Sequence, residues 1–132
     1  MAASPSETAR WRVLADDLTG ALDTAAAWAQ REPVPVYLRA PAREGAAVPV
    51  EVHASASRDL APEALPQVLD ASLDWLAGAR RAYKKVDSLV RGNTFAEVAW
   101  LVKSGRFAGA VFAPGFPTQG RFTALGKHWT CA

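Results

Sequence analysis

The sequence predicts an α/β fold: a layered, largely parallel sheet with flanking helices, in a single domain. Three observations point there. Short apolar runs of strand length alternate with longer segments of helical periodicity. Most of those runs end in a polar loop. Half of the 132 residues are hydrophobic, enough to fill one compact core but not two.

Residues 11–15 (WRVLA) stop abruptly at Asp16-Asp17, as a buried strand entering a polar loop does. Thr19 can cap the next element, and residues 21–31 repeat Leu22, Ala25, Ala26 and Ala29 at helical spacing. Pro33 stops that helix. Residues 34–38 (VPVYL) read as a second strand, which Pro35 assigns to an edge. After a loop at 41–47, residues 48–53 (VPVEVH) alternate as a third strand. Pro62 and Pro66 suit only a first helical turn; Leu65, Val68, Leu69, Leu73 and Leu76 then mark one face of a long helix ending near Gly78. Residues 82–86 make a fourth strand. Thr94 and Glu97 have capping-box spacing ahead of a helix at 95–103, which Gly105 closes. A fifth strand is expected at 109–113 (GAVFA), feeding the loop 114–121.

Charge excludes more than it identifies. With 15 basic and 13 acidic residues, the net charge is +2 and the basic residues are dispersed, so no nucleic-acid partner is expected. No run approaches the ~20 apolar residues of a membrane span, and the opening MAASPSETAR lacks the apolar core of a signal peptide. The single cysteine, Cys131, gives no internal disulfide and no cysteine-based metal site, which fits a cytoplasmic location. His128 and Cys131 are poor metal ligands at the end of the chain, and His53 reads as structural. Trp28, Trp75 and Trp100 are expected in the core.

The polar loops follow four of the five expected strands, at 16–20, Ser57-Arg58, 87–93 and 114–121. A parallel sheet gathers such loops at its carboxyl edge, where ligands bind. The densest is YKKVDSLVRGN (residues 83–93). Arg91 can fork onto a carboxylate or phosphate, Asp87 and Ser88 can hold a hydroxyl, and Gly92 lets backbone come close, so the loop suits an anionic ligand. The plain alternative is a solvated turn. Lys84 and Lys85 alternate on a strand, so only one can flank the site. Asp16 and Asp17 can accept bonds from substrate hydroxyls, one of them acting as a base; capping the following helix is their structural alternative.

ADDLTGALDTA (15–25), Ser57-Arg58, YKKVDSLVRGN (83–93) and APGFPTQGRFTALG (113–126) occur in the order found in the four-carbon acid sugar kinases, and together they resemble that family's N-terminal domain. The resemblance implies ATP- and Mg²⁺-dependent phosphorylation of four-carbon sugar acids such as threonate, erythronate or oxo-tetronates. It implies that this domain holds the acid while a separate C-terminal domain supplies the nucleotide site. On this basis Asp16 and Asp17 are the catalytic carboxylates. Thr19, Gly20, Ser57, Arg58, Lys85, Asp87, Ser88, Arg91, Gly92, Asn93, Gln119, Gly120 and Arg121 bind substrate, and no metal ligand is expected.

Two departures qualify the resemblance. The family pattern KKxDSTLRGN has Leu89-Val90 here in place of Thr-Leu. The chain also stops at Ala132, with no GxxxxGK[ST] loop, so a disordered tail (1–10) and a partial N-terminal domain (11–132) without the nucleotide domain are expected. The expected function is the substrate-binding portion of the kinase, inactive unless another chain supplies the nucleotide domain. A homodimer is the other partner considered, and a non-catalytic domain that binds a sugar acid or has lost function is the alternative. A phosphoacceptor receiver domain would need a lysine after the last strand, where Ala113-Pro114-Gly115 stands. A haloacid-type hydrolase would need D-x-D rather than Asp16-Asp17.

Overall fold

The structure is a computed structural model that describes residues 11–42, 46 and 48–131. The tail expected at 1–10, residues 43–45 and 47 of the loop expected at 41–47, and Ala132 lie outside the described residues. Strands β1 (Trp11–Ala15), β2 (Val36–Tyr37), β3 (Val50–Ala54) and β4 (Arg81–Lys85) form one parallel sheet in the order β2-β3-β1-β4, with β2 at the edge that Pro35 foretold. Helix α1 (Leu18–Trp28) covers one face, where Ala21 and Ala25 pack on Val13, Ala15, Val52 and Ala54. Helices α2 (Leu65–Ala77) and α3 (Thr94–Lys103) cover the other, gathering Leu65, Leu69, Trp75, Leu76 and Leu101 on Leu14.

Helix α1 differs in phase from the expected one. It starts at Leu18 because Asp17, not Thr19, caps it. The face turned to the sheet is Gly20, Ala21, Thr24 and Ala25, small residues that allow close approach, and Leu22 is left exposed. Trp28 is also exposed rather than core and packs, tilted, on Trp11 at 5.3 Å between ring centroids. Trp75 is fully buried and Trp100 packs partly buried beside it.

The expected fifth strand does not form. Residues 109–113 lie outside the sheet, Val111 is 95% exposed, and Phe112 packs on Phe95 of α3 at 5.7 Å. Glycine at its start weakens the run as a strand, Pro114 cannot extend it, and Phe112 gains packing on Phe95 instead. The outer edge of β4 is therefore open. In place of a terminal loop the chain folds back as an antiparallel hairpin, β5 (Arg121–Ala124) and β6 (Lys127–Thr130). Leu125 (φ 52°) and Gly126 (φ 72°) turn it with the two positive φ angles of a tight hairpin turn.

Charged groups lie within the sheet where the sequence reads as apolar strand. Arg12 and Glu51 are register neighbours on β1 and β3, both essentially unexposed, with Arg12 Nε 3.0 Å from Glu51 Oε2. Arg12 also donates to the Trp75 carbonyl, and Tyr37 Oη and Ala46 N donate to Glu51 Oε1. Burial first, and Glu51 second, push the Tyr37 phenol up. A buried pair satisfied this fully fixes which strands adjoin, because any other register strands a charge in the core.

His53 is 3% exposed and its Nδ1 lies 3.0 Å from Ser72 Oγ. Burial first, and the nearby Lys84 second, lower its pKa from 6.5 to about 4. The unfolded chain therefore takes up this proton before the folded one. Stability is full above about 6.5 and drains as the pH falls towards about 4, by about 3 kcal/mol at most. Melting temperatures measured from pH 7 to pH 4 should fall steeply in the wild type. His53→Gln, which carries no titrating group, should flatten that slope, and an unchanged slope would contradict this assignment.

Candidate functional site

All four strands of the sheet are parallel, so the segments leaving β1, β3 and β4 emerge at one edge. β1 ends in Asp16 and Asp17. Asp17 accepts from Gly20 N at 2.9 Å, which satisfies one free amide of α1. Arg58, from the loop after β3, spans both carboxylates: Nε is 2.8 Å and Nη2 3.3 Å from the two Asp16 oxygens, and Nη1 is 2.8 Å from Asp17 Oδ2. Asp16 is 1% exposed, and its bond to Arg58 holds the guanidinium above its usual pKa. The shared cation relieves the repulsion between adjacent acids. Backbone bonds fasten the same loop, since Ser57 N and Arg58 N both donate to the Asp16 carbonyl and Ser55 Oγ donates to that of Ala15.

The loop after β4 docks on this first one. Asn93 Nδ2 donates to the carbonyls of Ser57 (2.9 Å), Arg58 (3.2 Å) and Leu60 (2.8 Å). Gly92, at φ 68°, lies so close that a Cβ there would sit 2.4 Å from the Arg58 carbonyl oxygen. Asp87, 7% exposed, winds the loop around its own carboxylate, accepting Leu89 N, Arg91 N and Arg91 Nε on Oδ2 and Arg91 Nη2 on Oδ1. Arg91 accordingly holds that carboxyl well below the usual carboxylate range. The tight winding puts Val90 at φ 60°, a strained conformation for a β-branched residue. Asn93 precedes α3 without a side-chain cap. Thr94, expected as the cap, instead donates to the Arg91 carbonyl at 3.0 Å.

Its expected capping partner Glu97 is fully buried with Oε2 2.8 Å from Lys84 Nζ, close enough to pair though outside hydrogen-bonding angles. Lys84 thus faces α3, while Lys85 turns to the opposite face, over Gly20 of α1, with Nζ donating to the Val86 carbonyl at 2.6 Å. The hairpin closes the site through Ser88. Arg121 Nη1 donates to Ser88 Oγ at 2.7 Å and also reaches Gln119, while His128 Nε2 donates to the Ser88 carbonyl at 2.6 Å.

A cavity of about 1160 Å³ runs along the open edge of β4. Its length is lined by apolar groups such as Trp11, Trp28, Leu101 and Phe107, and its polar end by Asp17, Thr19, Gly20, Arg58, Lys85, Asp87, Ser88, Arg91, Gln119 and Arg121. Asp16, Ser57, Gly92, Asn93 and Gly120 do not line it. Asp16 and Ser57 are buried beneath Arg58, Gly92 and Asn93 join the two loops, and Gly120 turns the chain at φ 68° into β5. Among the described residues, Arg58 and Arg91 are paired with carboxylates and Lys85 and Arg121 are not. The lining also includes Asp23, which sequence reasoning passed over. Its spacing from Asp17 and Gly20 was the signal, once α1 is phased from Asp17.

Residues 11–131 match the family described as the sugar-binding N-terminal domain. The D-threonate kinase of Cupriavidus necator is 41% identical over 123 residues, covering 88% of this chain and 28% of that protein. Those of Bordetella bronchiseptica and Salmonella typhimurium are 38% and 35% identical, over 86% and 87% of this chain and 30% and 28% of theirs. The chain spans less than a third of the length of these curated relatives. No solved structure matches it.

Three substitutions test how the loops are held. Gly92→Ala must both push the Arg58 carbonyl away and hold an alanine at φ 68°, and should cost more than about 2 kcal/mol in urea unfolding. Arg58→Ala strands the buried Asp16 carboxylate and should cost about 3 kcal/mol. Val90→Asn should instead stabilise by about 1 kcal/mol, since asparagine tolerates positive φ.

Proposed function

The chain belongs to the sugar-binding N-terminal domain family, and from that we propose that it is the part of a four-carbon sugar-acid kinase that holds the acid. One observation carries this reading: the polar end of the cavity keeps two cations, Lys85 and Arg121, without a carboxylate partner among the described residues, while its other ion pairs are closed internally. A four-carbon sugar acid brings one carboxylate and several hydroxyls to such a place. Arg121 can fork onto the carboxylate with Lys85 adding charge, and Gln119 and Ser88 offer neutral partners at the same end. Asp16 acts here through Arg58, and Asp17 borders the cavity beside it. The relatives, D-threonate kinases, support threonate as the first acid to try.

Kinase chemistry requires ATP and Mg²⁺, which together supply the transferable phosphoryl group and neutralise its charge. The described residues do not fit them. No group of three or more His, Cys, Asp or Glu side chains is arranged to hold a metal ion, and the sequence contains no GxxxxGK[ST] loop. We therefore assign the nucleotide site to a domain outside residues 11–131, and the substrate unit to 11–131. No helix among the described residues is long and apolar enough to cross a membrane, and the reading is of a cytoplasmic protein acting on a small metabolite. A domain that binds the acid without catalysis is the second reading, favoured by the same misfit to metal.

Calorimetric titration with D-threonate and D-erythronate should give saturable binding to at least one. Arg121→Ala should weaken it about 10–100-fold, the loss of a charge-assisted bond. Absence of binding to any four-carbon acid, in a chain that melts cooperatively, would overturn the proposal. Incubated alone with ATP, Mg²⁺ and threonate, the chain should release no phosphorylated product, and detection of product would refute the separate nucleotide site.

A further inference from the structure

Beyond Thr19 in its first turn, the cavity-lining residues of α1 are Gly20, Asp23, Thr24, Ala27 and Trp28, which with the N-cap Asp17 have the spacing of a single helix face. The sheet-facing residues Ala21 and Ala25 lie beside that stripe, so Asp23 stands where α1 meets the open edge of β4. Lys85 crosses the same stripe one turn earlier, its Cγ 3.6 Å from where a Gly20 Cβ would be.

The carboxylates around this cavity divide sharply. Asp16 and Asp17 are bound by Arg58, and Asp17 also caps α1. Asp87 accepts four bonds from its own loop. Asp23 alone among the described carboxylates of the lining has no hydrogen bond or ion pair, and it is exposed to the cavity. A polyhydroxy acid needs an acceptor for its hydroxyls as well as cations for its carboxylate, and a carboxylate is the strongest acceptor a side chain offers.

Resting on the proposed sugar-acid reading, we infer that Asp23 is the substrate-binding carboxylate that accepts the acid's hydroxyl groups and sets the preference for hydroxylated over deoxygenated acids. Asp16 and Asp17 keep Arg58 in place. Lys85 and Arg121 take the carboxylate end of the ligand, and Asp23, one turn along α1 from where Lys85 crosses Gly20, takes the hydroxyl end. Gly20 gives Asp17 Oδ1 and Lys85 Nζ the room they occupy, since a Cβ there would meet them at 2.7 Å and 3.3 Å.

The test compares D-threonate with butanoate, which keeps the carboxylate and lacks the hydroxyls, on the wild type and on Asp23→Asn and Asp23→Ala. Wild type should prefer threonate by at least about tenfold. Both variants should lose about 10–100-fold in threonate affinity while butanoate affinity stays within about twofold, so that the preference collapses. Because Asp23 is an exposed helix position, both variants should melt as the wild type does. Retained threonate preference in the variants, or equal weakening towards both ligands, would overturn the role of Asp23 and leave the sugar-acid reading standing. Failure of the wild type to bind threonate or erythronate would remove that reading and this inference with it.

Discussion

The guanidinium of Arg58 lying across Asp16 and Asp17 is the interaction on which the rest of this edge depends. It ties the end of β1 to the loop after β3, neutralises two adjacent acids, and presents its backbone carbonyl as the surface on which Gly92 and Asn93 dock. Three segments distant in sequence become one unit at one residue, its side chain joining two of them and its carbonyl the third. The energetic logic is that of a buried ion pair, whose net worth is modest but whose half-removal leaves an uncompensated charge.

Beyond this anchor the edge is a set of closed accounts with two openings. Asp87 and Arg91 satisfy each other within a strained turn, and Lys84 and Glu97 pair on the far face of the sheet. Among the described residues, what remains without an ion partner is cationic at Lys85 and Arg121 and anionic at Asp23, all lining one cavity. A preorganised frame of this sort spends little on ordering when a ligand arrives, because the loops that carry the contacts are already fixed to each other. The hairpin is the exception. Its link to the site runs through Ser88, gripped at the hydroxyl by Arg121 and at the carbonyl by His128.

The parallel sheet and the gathering of its loops at one edge could be read from the sequence, because strand-length apolar runs ending in Asp16-Asp17, Ser57-Arg58 and Asp87 leave few other arrangements. Side-chain alternation put Lys84 and Lys85 on opposite faces of the sheet, although both border the cavity along the open edge of β4. What could not be read depended on competition between near-equal local choices. Asp17 and Thr19 are both good caps, and the small residues Gly20, Ala21, Thr24 and Ala25 competed with Leu22 for the face that α1 turns to the sheet. Arg12 and Glu51 look like surface alternation until the register places them side by side under α2. Residues 109–113 have strand composition, yet docking on β4 competes with packing of Phe112 on Phe95, and the hairpin beyond was hidden by a leucine in a turn position that usually takes asparagine or glycine.

The most direct test of this picture follows the arginine side chains themselves. Nitrogen-15 spectra of the guanidinium Nε–H groups, recorded through a titration with D-threonate, report which arginine meets the acid. The account predicts that the Arg121 resonance shifts with saturation while those of Arg58 and Arg91, each already bound to carboxylates, stay where they are. A shift at Arg58 or Arg91 with Arg121 unmoved would mean that the internal ion pairs open for the ligand, and the division into closed pairs and open cations would be wrong.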